Sequence, residues 1–414
     1  MNERWHERNE AHRAAQSGGD GPSGQYEWVR RLITALVVFG GIALGFVFVS
    51  DAMSSALLFI LIIVSLVMLH EAGHFFTAKA FGIYVHEFGV GFPPRVWAIK
   101  LGETEYSVNW LPIGGFVRLE GEESAEHPRS LAVRPRWQRL IVLASGAVVN
   151  LILPVLLFAI ALMWPHEVPV GRAEITNVVE GAPADLAGLL AGDVIYEIAG
   201  RDAKNVSEAS RYIRINVGST IDIVVRRDGD LVTVPVEARW SPPEGQGPTG
   251  IGIAPSVVAP DGRPFTETEA LAPWDAIPQG AQQTWDTMIL ARNEILGWFR
   301  GSASPQFAGP VGIGQTVGEV ARQQETASDA VSPLLEIAAL LSINLGILNL
   351  LPLPMLDGGR IFFLMIEVAR RGKRIAPEKE AFVHMIGFLV FISFALVITF
   401  FDISRIASGE SLFR

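Results

Sequence analysis

The chain has no cysteine, so it forms no disulfide and builds no thiolate metal site; a metal must be held by histidine and carboxylate. Charge is scarce too. Asp, Glu, Lys and Arg make up 18% of 414 residues, against roughly 25% in soluble domains. With a net charge of −10 and no basic block of binding length, nucleic acid is a poor partner. Half of the residues are hydrophobic. That balance describes a multi-pass membrane protein carrying some soluble mass, with partners in the lipid bilayer.

Five stretches reach the roughly 18 to 25 apolar residues that a bilayer crossing needs. They are Leu32 to Val49, Ser54 to about Phe81, about Leu140 to Trp164, about Leu334 to Leu351, interrupted by Asn344 and Asn349, and Phe382 to Phe401. Residues 1–31 are polar and rich in Gly, Ser, Arg and Glu, a disordered cytoplasmic arm. Residues 32–50 then read as an uncleaved anchor whose start Arg30 and Arg31 hold in the cytoplasm. The loop 82–136, with Arg95, Lys100, Arg118, Arg129, Arg134 and Arg136, and the run Arg370-Arg371-Gly372-Lys373-Arg374 fall on the same side under the positive-inside rule. The stretch from about Pro165 to Pro333 and the C-terminus are then expected outside the cytoplasm.

His70-Glu71-Ala72-Gly73-His74 closes the second apolar stretch, residues 54–81. Histidines four apart lie on one helix face and can share one zinc ion, while the glutamate beside the first can act as general base toward a metal-bound water. Charged groups at a membrane helix centre cost roughly 2.5 to 3.5 kcal/mol each and mark function. Catalytic zinc takes three protein ligands, and the motif supplies two. His6 and His12 lie in the arm, His127 and His166 in loop or boundary sequence, His384 at the start of the last span, and His86 too close behind the motif to fold back. The better third ligand is Asp357, in Asn349-Leu350-Leu351-Pro352-Leu353-Pro354-Met355-Leu356-Asp357-Gly358-Gly359. A helix broken by prolines and glycines at membrane depth must be packed in protein or line a polar cavity, and a carboxylate held there needs a cation.

The soluble parts have their own patterns. Between His86 and Glu120, short alternating runs separated by turn residues predict a membrane-associated β-hairpin or curved sheet. Its edge can pair with an extended substrate, or the segment folds only for its own stability. Residues 165–240 form one module; from Gly171 to about Glu237 its Gly181-Ala182-Pro183-Ala184, Ala187-Gly188-Leu189 and Gly192-Asp193-Val194-Ile195 resemble a PDZ domain. Such a groove captures peptides by strand addition, or closes and acts as a steric gate. Within residues 241–333, Trp240 to Pro273 reads as an irregular linker. Ala276 to Arg300 reads as an amphipathic helix, interfacial or plain surface, and Gly309-Pro310-Val311-Gly312-Ile313-Gly314 as a tight turn. The fourth span is taken over residues 334–370, and 382–402 is the C-terminal span.

HExxH at the end of one membrane helix, NxxPxPxLDGG in a later one and a PDZ-like module between them resemble the site-2 protease family of intramembrane zinc metalloproteases, of the bacterial regulator-of-sigma-E protease type. Phe88-Gly89-Val90-Gly91-Phe92-Pro93-Pro94, Gly114-Gly115-Phe116-Val117, Gly146-Ala147-Val148-Val149-Asn150 and Gly309-Pro310-Val311-Gly312 extend the resemblance. It implies zinc on His70, His74 and Asp357, Glu71 as base, Asn349 on substrate backbone or the oxyanion, and Asn150 helping to hold unwound substrate. It also implies an inner-membrane location with the active site toward the cytoplasm and the PDZ module outside. The substrates it implies are single-span membrane proteins such as anti-sigma factors or signal-peptide remnants. The arm and the anchor 32–50 are additions to the usual four-helix plan. Two alternatives differ in kind: a non-catalytic PDZ scaffold would keep its activity in Glu71→Gln, and a polytopic transporter would carry flux that chelators do not stop.

Overall fold

The computed structural model describes residues 51–121, 127–258, 265–301 and 309–408. The expected arm at 1–31 and anchor at Leu32 to Val49 lie outside the described residues. The chain divides into two units, 1–54 and 55–414. Of the first, the structure describes Asp51 to Ser54, the opening turn of helix α1 (Asp51–Ala80). Among the described residues, four helices are long and apolar enough to cross a membrane: Ser54–Ala80, Arg136–Met163, Val331–Leu350 and Pro377–Ala407.

Helix α1 stops where Gly82 takes φ +69 and returns its N–H to the Lys79 carbonyl at 2.9 Å, a conformation cheap only without a Cβ. Two long antiparallel strands follow, β1 (Val85–Leu101) and β2 (Thr104–Leu119). Each folds back on the other, so Phe88 pairs with both Val117 and Tyr106, and Val90 with both Gly115 and Val108. The bend falls at Pro93-Pro94, where neither residue has an N–H to give a ladder. The expected hairpin is therefore a curved sheet four segments wide. Glu103 in its turn ties it to the end of α1, accepting from Lys79 Nζ at 2.7 Å and from Arg129 at 2.7 and 2.9 Å. Those cations, Arg129 foremost, hold the Glu103 carboxyl down at about 2.

After α2 (Arg136–Met163) the chain leaves the apolar helices for a sheet module. Its elements are β3 (His166–Pro169), β4 (Ala173–Val178), α3 (Pro183–Ala187), β5 (Val194–Ile198), β6 (Arg201–Asp202), α4 (Val206–Ile215), β7 (Thr220–Arg227), β8 (Asp230–Glu237), β9 (Ile251–Pro255) and β10 (Thr266–Glu269). The main sheet runs β8-β7-β5-β4-β9 with β6 on β5, while β3 pairs with β10. Alternation along β4 and β7 sends Ile175, Ile223 and Val225 into one core with Leu189, and a register shift in β5 brings both Ile195 and Ile198 to it. Asp228-Gly229, at φ +53 and +99, makes the tight turn between β7 and β8. Asn205 caps α4 through Glu208 N–H while the Glu208 carboxylate accepts from Lys204 N–H. The linker expected from Trp240 to Pro273 is not all irregular: Ile251–Pro255 is the edge strand on β4, and Thr266–Glu269 pairs with β3. Its flanking Pro and Gly concealed a five-residue alternating strand.

Helix α5 (Pro273–Phe299) packs on α2 at Gly280, where an added Cβ would stand 2.7 Å from the Val155 carbonyl. It also grips the sheet module. Asp286 takes two hydrogen bonds from Arg201 Nη1, and Asn293 donates to the Arg214 and Ile215 carbonyls at the end of α4. The segment expected as a turn, Gly309 to Gly314, instead opens helix α6 (Pro310–Gln323), with Pro310 at a position whose N–H is not needed. The span expected over 334–370 is two helices, α7 (Val331–Leu350) and α8 (Asp357–Ala369). Pro352 and Pro354 break it, since neither can donate to an α-helical ladder. Helix α9 (Pro377–Ala407) completes the described chain and caps the first turn of α6, Asp402 Oδ2 accepting from Gly312 N–H at 2.8 Å.

Candidate active site

Helix α1 puts His70 and His74 one turn apart on the face it turns toward α2, and both are buried. Asp357 reaches them from the first residue of α8, after the proline break. Its Oδ2 lies 3.0 Å from His70 Nε2 and 3.1 Å from His74 Nε2, and the two nitrogens are 3.2 Å apart. Ligands about 2.0 to 2.2 Å from a tetrahedral zinc stand roughly 3.3 Å from one another. The three atoms therefore form nearly the face of such a tetrahedron, and two imidazoles with one carboxylate suit the metal chemically.

The third wall is a stripe on α2 with a four-residue repeat. The Val142 carbonyl accepts from His74 Nδ1–H at 2.7 Å, which fixes the tautomer and leaves the Nε2 lone pair facing the other ligands. Gly146 comes next. An added Cβ there would stand 2.6 Å from His70 Nε2 and closer still to His74 Nε2, so only a residue without a side chain leaves the centre its space. Asn150 follows, fully buried, its Nδ2 3.4 Å from His70 Nδ1. Gly73 lets the two helices approach this closely, since a Cβ on it would meet the Ser145 carbonyl oxygen at 2.7 Å.

A cavity of about 200 Å³ opens beside His74 and Asp357, lined by Glu71, Phe116, Val117, Leu119, Met355 and Arg360 among others. Glu71 therefore shares the space with the metal-binding cluster, and the outer segment of β2 forms its wall. Gly115 lies next to Glu71, with 3.6 Å from its would-be Cβ to Glu71 Cγ. The chain thus brings His70, Glu71, His74, Asp357 and Asn150 together. Asn349 is half-buried in the last turn of α7, and its side chain makes no hydrogen bond among the described residues.

Other contributors escaped the sequence reading. The Val142 carbonyl is backbone and has no signature. Met355 holds φ +75, and its N–H donates to His384 Nδ1 at 2.6 Å, so the histidine at the start of α9 fixes the loop that presents Asp357. The nearest sequence signal is His384 itself, which the sequence places at the start of the last span and away from the motif.

A membrane helix carrying two histidines and a glutamate, closed by a carboxylate from a broken helix, defines a membrane-embedded metallopeptidase. The profile of peptidase family M50 matches residues 58–394, and the chain belongs to that family, the site-2 proteases. It is 30% identical to zinc metalloprotease RasP of Bacillus licheniformis, over 86% of this chain and all of that one. It is 29% identical to the regulator of sigma-W protease RasP of Bacillus subtilis, over 85% and 99%, and 28% identical to zinc metalloprotease RasP of Oceanobacillus iheyensis, over 86% and 100%. The chain is a zinc metalloprotease of the membrane.

Proposed function

We propose that this protein hydrolyses peptide bonds inside the membrane-spanning segments of single-span proteins, with His70, His74 and Asp357 as zinc ligands and Glu71 as general base. The observation that carries the reading is the near-tetrahedral spacing of three ligand atoms beside Glu71, within a helix apolar enough to cross a bilayer. Zinc held there would supply a water with a pKa near about 7 and an electrophile for the scissile carbonyl. Glu71 takes the attacking water's proton on its carboxylate and passes it to the leaving nitrogen. A substrate helix hides its carbonyls in its own hydrogen bonds and must unwind first. The Gly115–Leu119 segment, which walls the cavity, can hold the unwound stretch by strand addition, and Asn349 would contact its backbone or the oxyanion.

The module 165–240, extended by β9 to residue 255, is proposed as a PDZ domain outside the cytoplasm that admits trimmed substrates by capture or by size. The basic loops 82–136 and 370–374, by the positive-inside rule, support an active site in the cytoplasmic half of the inner membrane. Anti-sigma factors and signal-peptide remnants are substrates of the right form. The test compares membrane proteomes of wild-type and Glu71→Gln cells. Membrane stubs that accumulate only in the variant would name the substrates, and their absence under every stress would remove the proteolytic reading's main support.

A further inference from the structure

The two imidazoles of the centre are held in different ways. His74 gives its Nδ1–H to a backbone carbonyl that cannot turn away. His70 has a side chain in that place, the Asn150 amide at 3.4 Å. Asn150 has no solvent-accessible surface, so a substrate reaches its amide only if the helices part. It is also braced from behind: its own carbonyl accepts from Ser342 Oγ of α7 at 2.8 Å, which pins this turn of α2 between α1 and α7.

We infer that Asn150 is a positioning residue for His70, not a substrate contact. The inference rests on the zinc reading above. When His70 Nε2 faces a metal, the ring's only proton sits on Nδ1, and a proton there needs an acceptor. The amide's acceptor is Oδ1, which is buried and has no hydrogen-bond partner among the described residues. A half-turn of the amide about Cβ–Cγ exchanges its two ends and sets Oδ1 on the Nδ1 proton without moving another atom. Val142, Gly146 and Asn150 then have three distinct tasks along one helical stripe: one aims His74, one leaves room, one aims His70.

The test is zinc affinity of the purified full-length protein, measured by competition with a chelator, alongside kcat and KM on a membrane substrate. Asn150→Leu keeps the volume and removes the acceptor, and roughly 10- to 100-fold weaker zinc binding is expected. Asn150→Asp restores an acceptor at the same atom and should bind zinc within about threefold of wild type, whereas a residue needed only for packing would suffer most from a buried carboxylate. Zinc in excess should return kcat to Asn150→Leu with KM unchanged. Wild-type zinc affinity in Asn150→Leu, or a raised KM with affinity unchanged, would overturn the inference, and so would an Asp variant as weak as the Leu one. Asn150→Ala takes the place of the leucine variant if the latter does not fold. His70→Ala separates the two readings: if it leaves zinc affinity intact, the ligand assignment fails first.

Discussion

Gly146→Ala adds a single methyl group at the point where the two imidazoles converge. Its Cβ would lie 2.6 Å from His70 Nε2, where ordinary contact begins near 3.4 Å, so something must yield by almost an ångström. The atoms in the way are the ends of two side chains, which swing more cheaply than a helix backbone moves. The strain therefore falls on the ligand set. Overpacking of one methyl costs about 1 to 3 kcal/mol, and if all of it opposes metal binding, zinc affinity drops by about 5- to 150-fold. Chelator competition on the purified protein reads that loss directly, and thermal melting of the metal-free form should change little. Gly73→Ala provides the contrast, because its Cβ would strike the Ser145 backbone at 2.7 Å. There the helices must separate, and the metal-free protein itself should melt earlier. Wild-type zinc affinity in Gly146→Ala would refute the placement of α2 against the two histidines.

Three further outcomes are expected. Glu71→Gln should lower cleavage of a reconstituted membrane substrate by about 100-fold or more while the purified protein keeps its zinc, as expected for loss of a general base; loss of the metal would instead make Glu71 part of the metal shell. Asp193 is buried at the root of β5. Burial pushes its carboxyl up, but hydrogen bonds from Arg227 at 2.6 and 2.8 Å and from Leu190 N–H bring it below the usual carboxylate range. Its folded value thus lies below its unfolded one, so its contribution is full above the ordinary carboxylate pKa and fades as pH falls toward the folded value. Melting of the full chain followed through the sheet module should show this. Arg227→Met should cost about 3 kcal/mol at neutral pH and reverse that slope, because burial then outweighs the remaining Leu190 N–H bond and raises the carboxyl. Gly280→Leu should loosen α5 from α2, seen as faster proteolysis of α5 with the sheet module's own melting unchanged; equal protection in both proteins would contradict the close packing at Val155.

The parts legible in the sequence were those whose chemistry and period agree. Histidines at i and i+4 share a helix face wherever that helix sits, and Asp357 stood out because a carboxylate among apolar residues, prolines and glycines has no cheap alternative. The sheet module between α2 and α5 was foreshadowed by runs such as Gly181-Ala182-Pro183-Ala184 and Gly192-Asp193-Val194-Ile195. What escaped notice depended on partners far along the chain. Ile251–Pro255 becomes a strand because β4 offers it an edge, and Gly309-Pro310 starts a helix whose first turn Asp402 caps from α9. The Val142 carbonyl orients His74 with an atom every residue possesses. His384, at the start of the last span, gave no sign of its role because the loop it holds lies 29 positions earlier.

The proposed ligand set is assembled from distant parts of the chain: 287 positions separate His70 from Asp357. A ribosome adding about 5 to 20 residues per second needs roughly 15 to 60 s to cover that distance. Through all of that interval α1 has its two histidines and a glutamate but not Asp357. A half-made copy, or one truncated before the proline break, is therefore unarmed among the nascent membrane helices around it. The break before α8 acts as a late safety catch, withholding Asp357 until the whole sheet module between α2 and α5 has been synthesised.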